Sequence, residues 1–197
     1  MASIKCATVQ FHHRANDKAY NMSVVERFSR EAADQKIKIL AFPEMCLTGY
    51  WPVRNLGREK LEELAEPVPS GPATRAVAQL SAQHDMAVGV GLIERGKDGR
   101  LFNTYVVCLP DGQFHRHRKL HAFESDDIAS GDSYTVFDTP WGVKAGVLIC
   151  WDNNLVDAPY LNRDPALAET AIQKARNAND RPAPDRDEVF STKAEKA

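Results

Sequence analysis

Apolar residues recur along this chain with two periods, and the switches between them outline an order of elements. Residues 3 to 10 (SIKCATVQ) read as a short buried strand. From Asn16 to Gln35 the spacing of Tyr20, Val24, Phe28 and Ala32, about one turn apart, predicts an amphipathic helix that Asp17 or Asn16 can cap. IKILAFPE follows as an apolar strand stopped by Pro43, whose missing N–H ends a ladder. Strand, helix and strand in this order point to an α/β sandwich. Leu47 to Pro69 is irregular apart from a charged helix near Glu59 to Leu64, and a Pro/Gly-rich turn then leads into a second amphipathic helix, Ala73 to His84.

The period then shortens to that of strands. MAVGVGLIER is a strand, KDGR a turn, and LFNTYVVCLPDGQFHRHRK a hairpin with Pro110, Asp111 and Gly112 at its tip. SYTVFDTPWGVKAGVLICWD reads as two more strands around Pro140, Trp141 and Gly142, the second ending at Cys150. There is no internal repeat. Past Asn154 the pattern dissolves: a helix from Pro165 to Asn177 is favoured by its residues, and beyond it too few apolar groups remain to offset the entropy of ordering, so the end reads as disordered. The division expected is a domain over residues 1–154 and a divergent polar tail over 155–197.

Composition narrows the classes without choosing among them. Of 197 residues, 43% are apolar and 26% charged, as in soluble globular proteins. A net charge of −2 gives no electrostatic reason to expect nucleic acid or an anionic membrane as partner. No apolar run is long enough to span a bilayer and the start does not have the build of a signal peptide, so the expected location is cytoplasmic. Cys6, Cys46, Cys108 and Cys150 form no CxxC pair, and three of them read as buried free thiols in a reducing compartment.

Three positions carry candidate chemistry. Cys150 closes the apolar run AGVLIC before the polar, turn-prone WDNN, where backbone N–H groups and a nearby cation can stabilise a thiolate; a plain buried strand-end cysteine is the alternative. Glu44 ends KILAFPE in the same way, either as a surface charge or as a base at the rim of the sheet, desolvated by the apolar MCLTGY that follows. Lys119 lies in HRHRKLH. That stretch reads as a basic patch for nucleic acid, a metal site from His115, His117 and His121, or a solvated hairpin strand with one cation turned inward.

Taken in order, FPEMCLTGY, HRKLH and GVLICWDN, supported by GLIER, NTYVVCLPDG and GDSYTVFDTPWG, resemble the signatures of the nitrilase superfamily of carbon–nitrogen hydrolases over roughly residues 3 to 154. The resemblance implies an α/β fold, here a partial αββα nitrilase-type sandwich with a mostly irregular or helical carboxy-terminal tail. It implies a catalytic triad of Glu44 as general base, Cys150 as nucleophile and Lys119 as oxyanion stabiliser, the last aided by the backbone N–H of Trp151. Glu124, the only glutamate between the lysine and the cysteine, is the candidate for a helper carboxylate. Tyr50, Trp51 and Asn153 are expected to border the substrate pocket. The implied reaction is hydrolysis of a small amide, nitrile or N-carbamoyl compound through a cysteine thioester or thioimidate, with no metal or organic cofactor, in a homo-oligomer.

The pattern departs from the family after CWDNN, where no apolar strand follows. A truncated or rearranged chain fits this better than a compact redesign. It would expose apolar faces, lower monomer stability and favour association. An active hydrolase and an inactive remnant acting as a partner subunit therefore stand as competing expectations, with a nucleic-acid or metal-binding module behind them.

Overall fold

The computed structural model describes residues 4–153. The expected helix at 165–177 and the polar tail over 155–197 lie outside the described residues. The described residues through Asp152 fall in the first of the two units into which the chain divides. The first runs β1 (Cys6–Thr8), α1 (Lys18–Asp34), β2 (Ile39–Ala41), α2 (Tyr50–Val53), α3 (Arg58–Leu64), α4 (Pro72–His84), β3 (Ala87–Arg95), β4 (Leu101–Cys108), β5 (Phe114–Arg118), β6 (Ile128–Ala129), β7 (Thr135–Asp138) and β8 (Lys144–Val147). A 3-10 turn, Cys150–Asn153, follows.

Strands β1 to β5 lie in chain order in one mixed sheet, with β6 pairing β4. The first two contacts are parallel, because α1 and then α4 return the chain to the same edge. The β3–β4 and β4–β5 contacts are hairpins. At the second tip the Gly112 N–H reaches Leu109 O at 3.1 Å, and Gln113 N–H donates to Asp111 Oδ1 at 3.0 Å. Strands β7 and β8 form a separate antiparallel pair.

Side-chain alternation sorts the sheet into two faces. Val88, Val90 and Leu92 of β3 join Val106 and Cys108 of β4 beneath Val25 and Ala32 of α1 and Ala73 and Val77 of α4. Asp17, not Asn16, caps α1, accepting from Tyr20 N–H at 2.9 Å. The opposite face carries Ala87 and Val107, which meet Phe137, Ala145 and Val147 of the β7–β8 hairpin. Further along that face a third apolar cluster, with Met45, Val53, Leu61, Ile93, Leu101 and Ile128, packs the segment after β2 onto β3 and β4.

Three expectations change. The first strand is shorter than residues 3–10 and is not buried: β1 is a three-residue edge strand paired only to β2, and Cys6 is exposed, so only Cys46 and Cys108 are the inert buried thiols expected. The irregular stretch contains the additional short helix α2. The last strand stops at Val147, three residues before the cysteine it was expected to carry. The reason is local: Ile149 N–H is captured by the Asp152 carboxylate at 3.1 Å rather than by a neighbouring strand, and Cys150 takes a φ of +47°.

Candidate active site

The end of β2 delivers Glu44. Tyr105 of β4 fixes that end: its hydroxyl accepts from Phe42 N–H at 3.1 Å and lies 2.8 Å from Phe42 O and 2.9 Å from Gly89 O. The chain then turns across β3 so closely that a Cβ on Gly91 would sit 2.2 Å from Met45 N and 2.9 Å from the Glu44 carbonyl carbon. Met45 adopts a φ of +48° in the same turn. Only glycine at 91 leaves room for this approach.

The end of β5 delivers Lys119. In HRHRK the period-two alternation sends His115, His117 and Lys119 to the hairpin-facing side and Arg116 and Arg118 to the other. Arg116 and Arg118 both bind the buried Glu94 carboxylate. His115 stacks on Phe137 with centroids 4.1 Å apart, and His117 is buried against Asp152. Arg116 and Arg118 are thus engaged by a carboxylate and His115 and His117 by packing and a second carboxylate, and among the described residues no group of three His, Cys, Asp or Glu could hold a metal ion. Lys119 extends the strand register by donating its N–H to Asn103 O at 2.8 Å, and its side chain is completely buried.

These residues meet. The Lys119 ammonium donates to Glu44 Oε1 at 2.8 Å and to Glu124 Oε1. Asn103 was not singled out in the sequence. Its side-chain amide donates one hydrogen to Glu44 Oε1 at 2.7 Å and the other to Glu124 Oε1 at 2.9 Å. A neutral amide in the middle of the apolar run LFNTYVV was the available signal. Its Oδ1 is buried without a partner, which the two carboxylates enforce by demanding both donors. Glu124 Oε2 also accepts from Phe123 N–H at 3.1 Å, and the Phe123 and Tyr50 rings lie 4.5 and 5.6 Å from Lys119 Nζ.

Cys150 stands in the electrostatic reach of this cluster. Burial, the charge of Glu44 and a hydrogen bond with Glu44 raise its thiol above the ordinary value, and they outweigh Lys119 and a hydrogen bond with the Trp151 backbone. Glu44 thus opposes the thiolate form of Cys150 in the unliganded site. Burial alone would lower the Lys119 ammonium, but its bonds to Glu124 and Glu44 more than reverse this and keep it charged. Burial would likewise raise Glu124, and the bonds from Lys119 and Asn103 hold it below the usual carboxylate range instead.

The remaining expected positions are distributed around this core. The Tyr50 hydroxyl feels Lys119, Glu124, Glu44 and Cys150, so it borders the cluster. Trp51 points outward, 66% exposed, with its ring edge-on to Tyr50 at 5.4 Å. Trp151 is exposed and edge-on to Phe123 at 6.0 Å. Asn153 is exposed at the end of the 3-10 turn.

A sequence model of the carbon-nitrogen hydrolase family matches residues 5–172, reaching past the described region. The chain is 32% identical over 180 residues to an (R)-stereoselective amidase of Pseudomonas sp, covering 89% of this chain and 61% of the relative. It is 34% identical over 164 residues to omega-amidase NIT2-A of Xenopus laevis, covering 77% and 56%. Among solved structures, Saccharomyces cerevisiae Nit3, a member of branch 10 of the nitrilase superfamily, superposes with a TM-score of 0.63 at 24% identity over 87% of this chain and 61% of its own. A CN-hydrolase superfamily protein of Xanthomonas campestris gives 0.67 at 20% identity, over 82% and 57%. These likenesses show the nitrilase-type α/β fold. The chain spans about three-fifths of the length of the curated relatives it matches.

Proposed function

The chain belongs to the carbon-nitrogen hydrolase family, and from that premise we propose that it hydrolyses the non-peptide carbon–nitrogen bond of a small amide, nitrile or N-carbamoyl compound through a thioester or thioimidate on Cys150. One observation carries the reading: Glu44, Lys119 and Glu124, from three separate segments, converge on one buried cluster whose charge and hydrogen bonding reach the Cys150 thiol.

For an amide, Glu44 takes the thiol proton as the sulfur attacks the carbonyl carbon. The tetrahedral oxyanion is stabilised by the Lys119 ammonium and the Trp151 N–H, the two groups that favour negative charge at Cys150. Glu44 then passes the proton to the departing nitrogen. The C–N bond breaks, ammonia or an amine leaves, and a thioester remains. Water, deprotonated by Glu44, attacks the thioester; the acid is released and the thiol regains its proton. Glu124 keeps Lys119 charged and in place throughout. The relatives named amidase favour an amide over a nitrile as substrate.

The test is ammonia release from a panel of small primary amides by the full chain and its Cys150→Ser variant, with intact-mass detection of an acyl adduct. Turnover by the wild type, absent in the variant, supports the reading; equal rates, or an adduct on another cysteine, overturn it. A specific observation favours a second reading, that this surface binds another chain. An apolar cleft of about 260 Å³ opens between β2–β4 and the β7–β8 hairpin, lined by Ile39, Val107, Phe137 and Val147 among others. Val136 and Val143 of the same hairpin are exposed. Homo-oligomerisation would cover them, and light scattering across a concentration series decides it.

A further inference from the structure

One buried carboxylate outside the triad joins the two segments that carry Lys119 and Cys150. Asp152 Oδ1 accepts from the N–H groups of Leu120 and His121, each at 3.1 Å, directly after the lysine. Its Oδ2 accepts from Ile149 N–H at 3.1 Å, directly before the cysteine. The same oxygen lies 3.2 Å from Nε2 of His117, two residues before the lysine, and both side chains are completely buried. Four donors therefore converge on one acid, two to each oxygen. Burial would raise this carboxyl, yet the bonds from His117, Ile149, Leu120 and His121 hold it below its ordinary range.

The cysteine needs such a fixture. Its φ of +47° lies in the left-handed region, which is strained for a non-glycine residue. Asp152 closes the turn from both ends: its own N–H donates to Ile149 O at 3.0 Å while its carboxylate takes the Ile149 N–H. Cys150 is thus bracketed by a reciprocal pair. Because an ionised carboxylate is acceptor-only, His117 must present Nε2–H to it. The other ring nitrogen lies 3.3 Å from Thr135 Oγ1 on β7, whose hydroxyl donates to Arg116 O at 2.8 Å. The chain of contacts runs from the nucleophile turn through β5 to the hairpin.

We propose that Asp152, oriented by His117, is the positioning residue that fixes the Cys150 turn against the Lys119 segment, so that thiol, ammonium and Trp151 N–H address one reacting carbon. It touches no substrate. The proposal rests on the hydrolase reading above, and its tests include one readout that does not depend on turnover.

Asp152→Asn preserves size but replaces one acceptor oxygen by a donor facing Ile149 N–H or the Leu120 and His121 pair. The expected result is a fall in kcat of about 100-fold, the scale of an ångström-level misplacement, with KM changed less than about threefold. His117→Gln keeps an amide N–H near the position of Nε2, and His117→Leu removes it. Gln is expected to retain kcat within about threefold and Leu to lose at least about tenfold, the difference of one charge-assisted hydrogen bond. In each variant, iodoacetamide labelling of Cys150 is read by peptide mass spectrometry against exposed Cys6 in the same sample. The ratio should change severalfold in Asp152→Asn and His117→Leu and stay near wild type in His117→Gln. If Asp152→Asn does not fold, the two His117 variants decide. Equal kcat and equal labelling for Gln and Leu, or an unchanged labelling ratio in folded Asp152→Asn, overturn the proposal. If the wild type turns over no amide, the hydrolase reading fails by itself, while the labelling ratios still test the positioning role.

Discussion

Two ion clusters sit on opposite faces of the same three strands, and they are built in opposite ways. On the helix-facing side one buried carboxylate, Glu94, is held between two guanidiniums. Arg118 bonds both of its oxygens at 2.6 and 3.1 Å, Arg116 adds a bond at 2.9 Å, and the Thr104 hydroxyl a fourth at 2.8 Å. On the other side one buried ammonium, Lys119, is held between two carboxylates with Asn103 bridging them. In the first cluster the two guanidiniums and a hydroxyl surround one carboxylate with donors, Arg118 as a fork, which suits a structural clasp. The second holds an excess acid beside a thiol with a proton to give. On the proposed function, a surplus of acceptors beside the Cys150 thiol is what would distinguish the reactive cluster from the structural one.

The comparison is broken most sharply by removing the nucleophile. Cys150→Ala should abolish amide turnover, by on the order of 10⁴-fold or more, without lowering the unfolding temperature. The cysteine is exposed and is not among the residues of the three apolar clusters. Residual turnover within a hundredfold of wild type would mean that the reactive cluster lies elsewhere.

Lys119→Ala should cost both activity and stability. Losing the oxyanion donor lowers kcat by about 10²–10³-fold. Two carboxylates are then left facing each other without their cation, a loss of about 3–5 kcal/mol of unfolding free energy, read from urea unfolding at neutral pH. A fully stable Lys119→Ala protein would show that the carboxylates find water in place of the ammonium.

The matching change on the other face is Glu94→Gln. It should lower stability by about 1–3 kcal/mol, because the arginines it abandons are partly exposed and regain solvent. Since the cluster faces away from Cys150, kcat/KM should stay within about twofold. A large loss of activity at full stability would erase the distinction between the faces.

The split between the faces was legible in part before any coordinates. Period-two alternation in HRHRK already separates Lys119 from its arginine neighbours, and Glu44, Lys119 and Cys150 each follow an apolar run. Asn103 left only a faint signal, an amide inside an apolar run, because the partners that give it a role stand 59 and 21 residues away. Asp152 was hidden inside WDNN as turn chemistry. Its partners, 32 and 31 residues back, become neighbours only when β5 and the nucleophile turn are stacked. The extent of the last strand was misread for the same reason: GVLIC is apolar enough for a strand, and the Asp152 side chain competes for the N–H that a ladder would use. Cys6 shows the converse, an apolar setting at an edge with one neighbour strand.

The smallest effect separates the clusters by pH. Against the effect of burial, bonds from Lys119 and Asn103 hold the Glu124 carboxyl below the usual glutamate range, and bonds from His117 and the Ile149, Leu120 and His121 N–H groups hold Asp152 below the usual aspartate range. A folded-state pKa below the unfolded one means that the native protein binds fewer protons, so their contribution is complete above the unfolded values and fades as pH falls through the folded ones. Wild-type stability should therefore decline on acidification below about pH 4.5, the ordinary glutamate range. Glu124→Gln removes one of the two groups responsible. The stability gap between wild type and this variant should be widest near neutrality and should close as the pH drops, because protonated Glu124 offers Lys119 little more than the amide does. Urea midpoints at half-unit intervals between about pH 3 and 7 measure it over the titration range. A gap that stays constant or widens toward acid would mean that Glu124 does not carry its charge in the folded protein, and the acceptor surplus that sets the two faces apart would then rest on Glu44 alone.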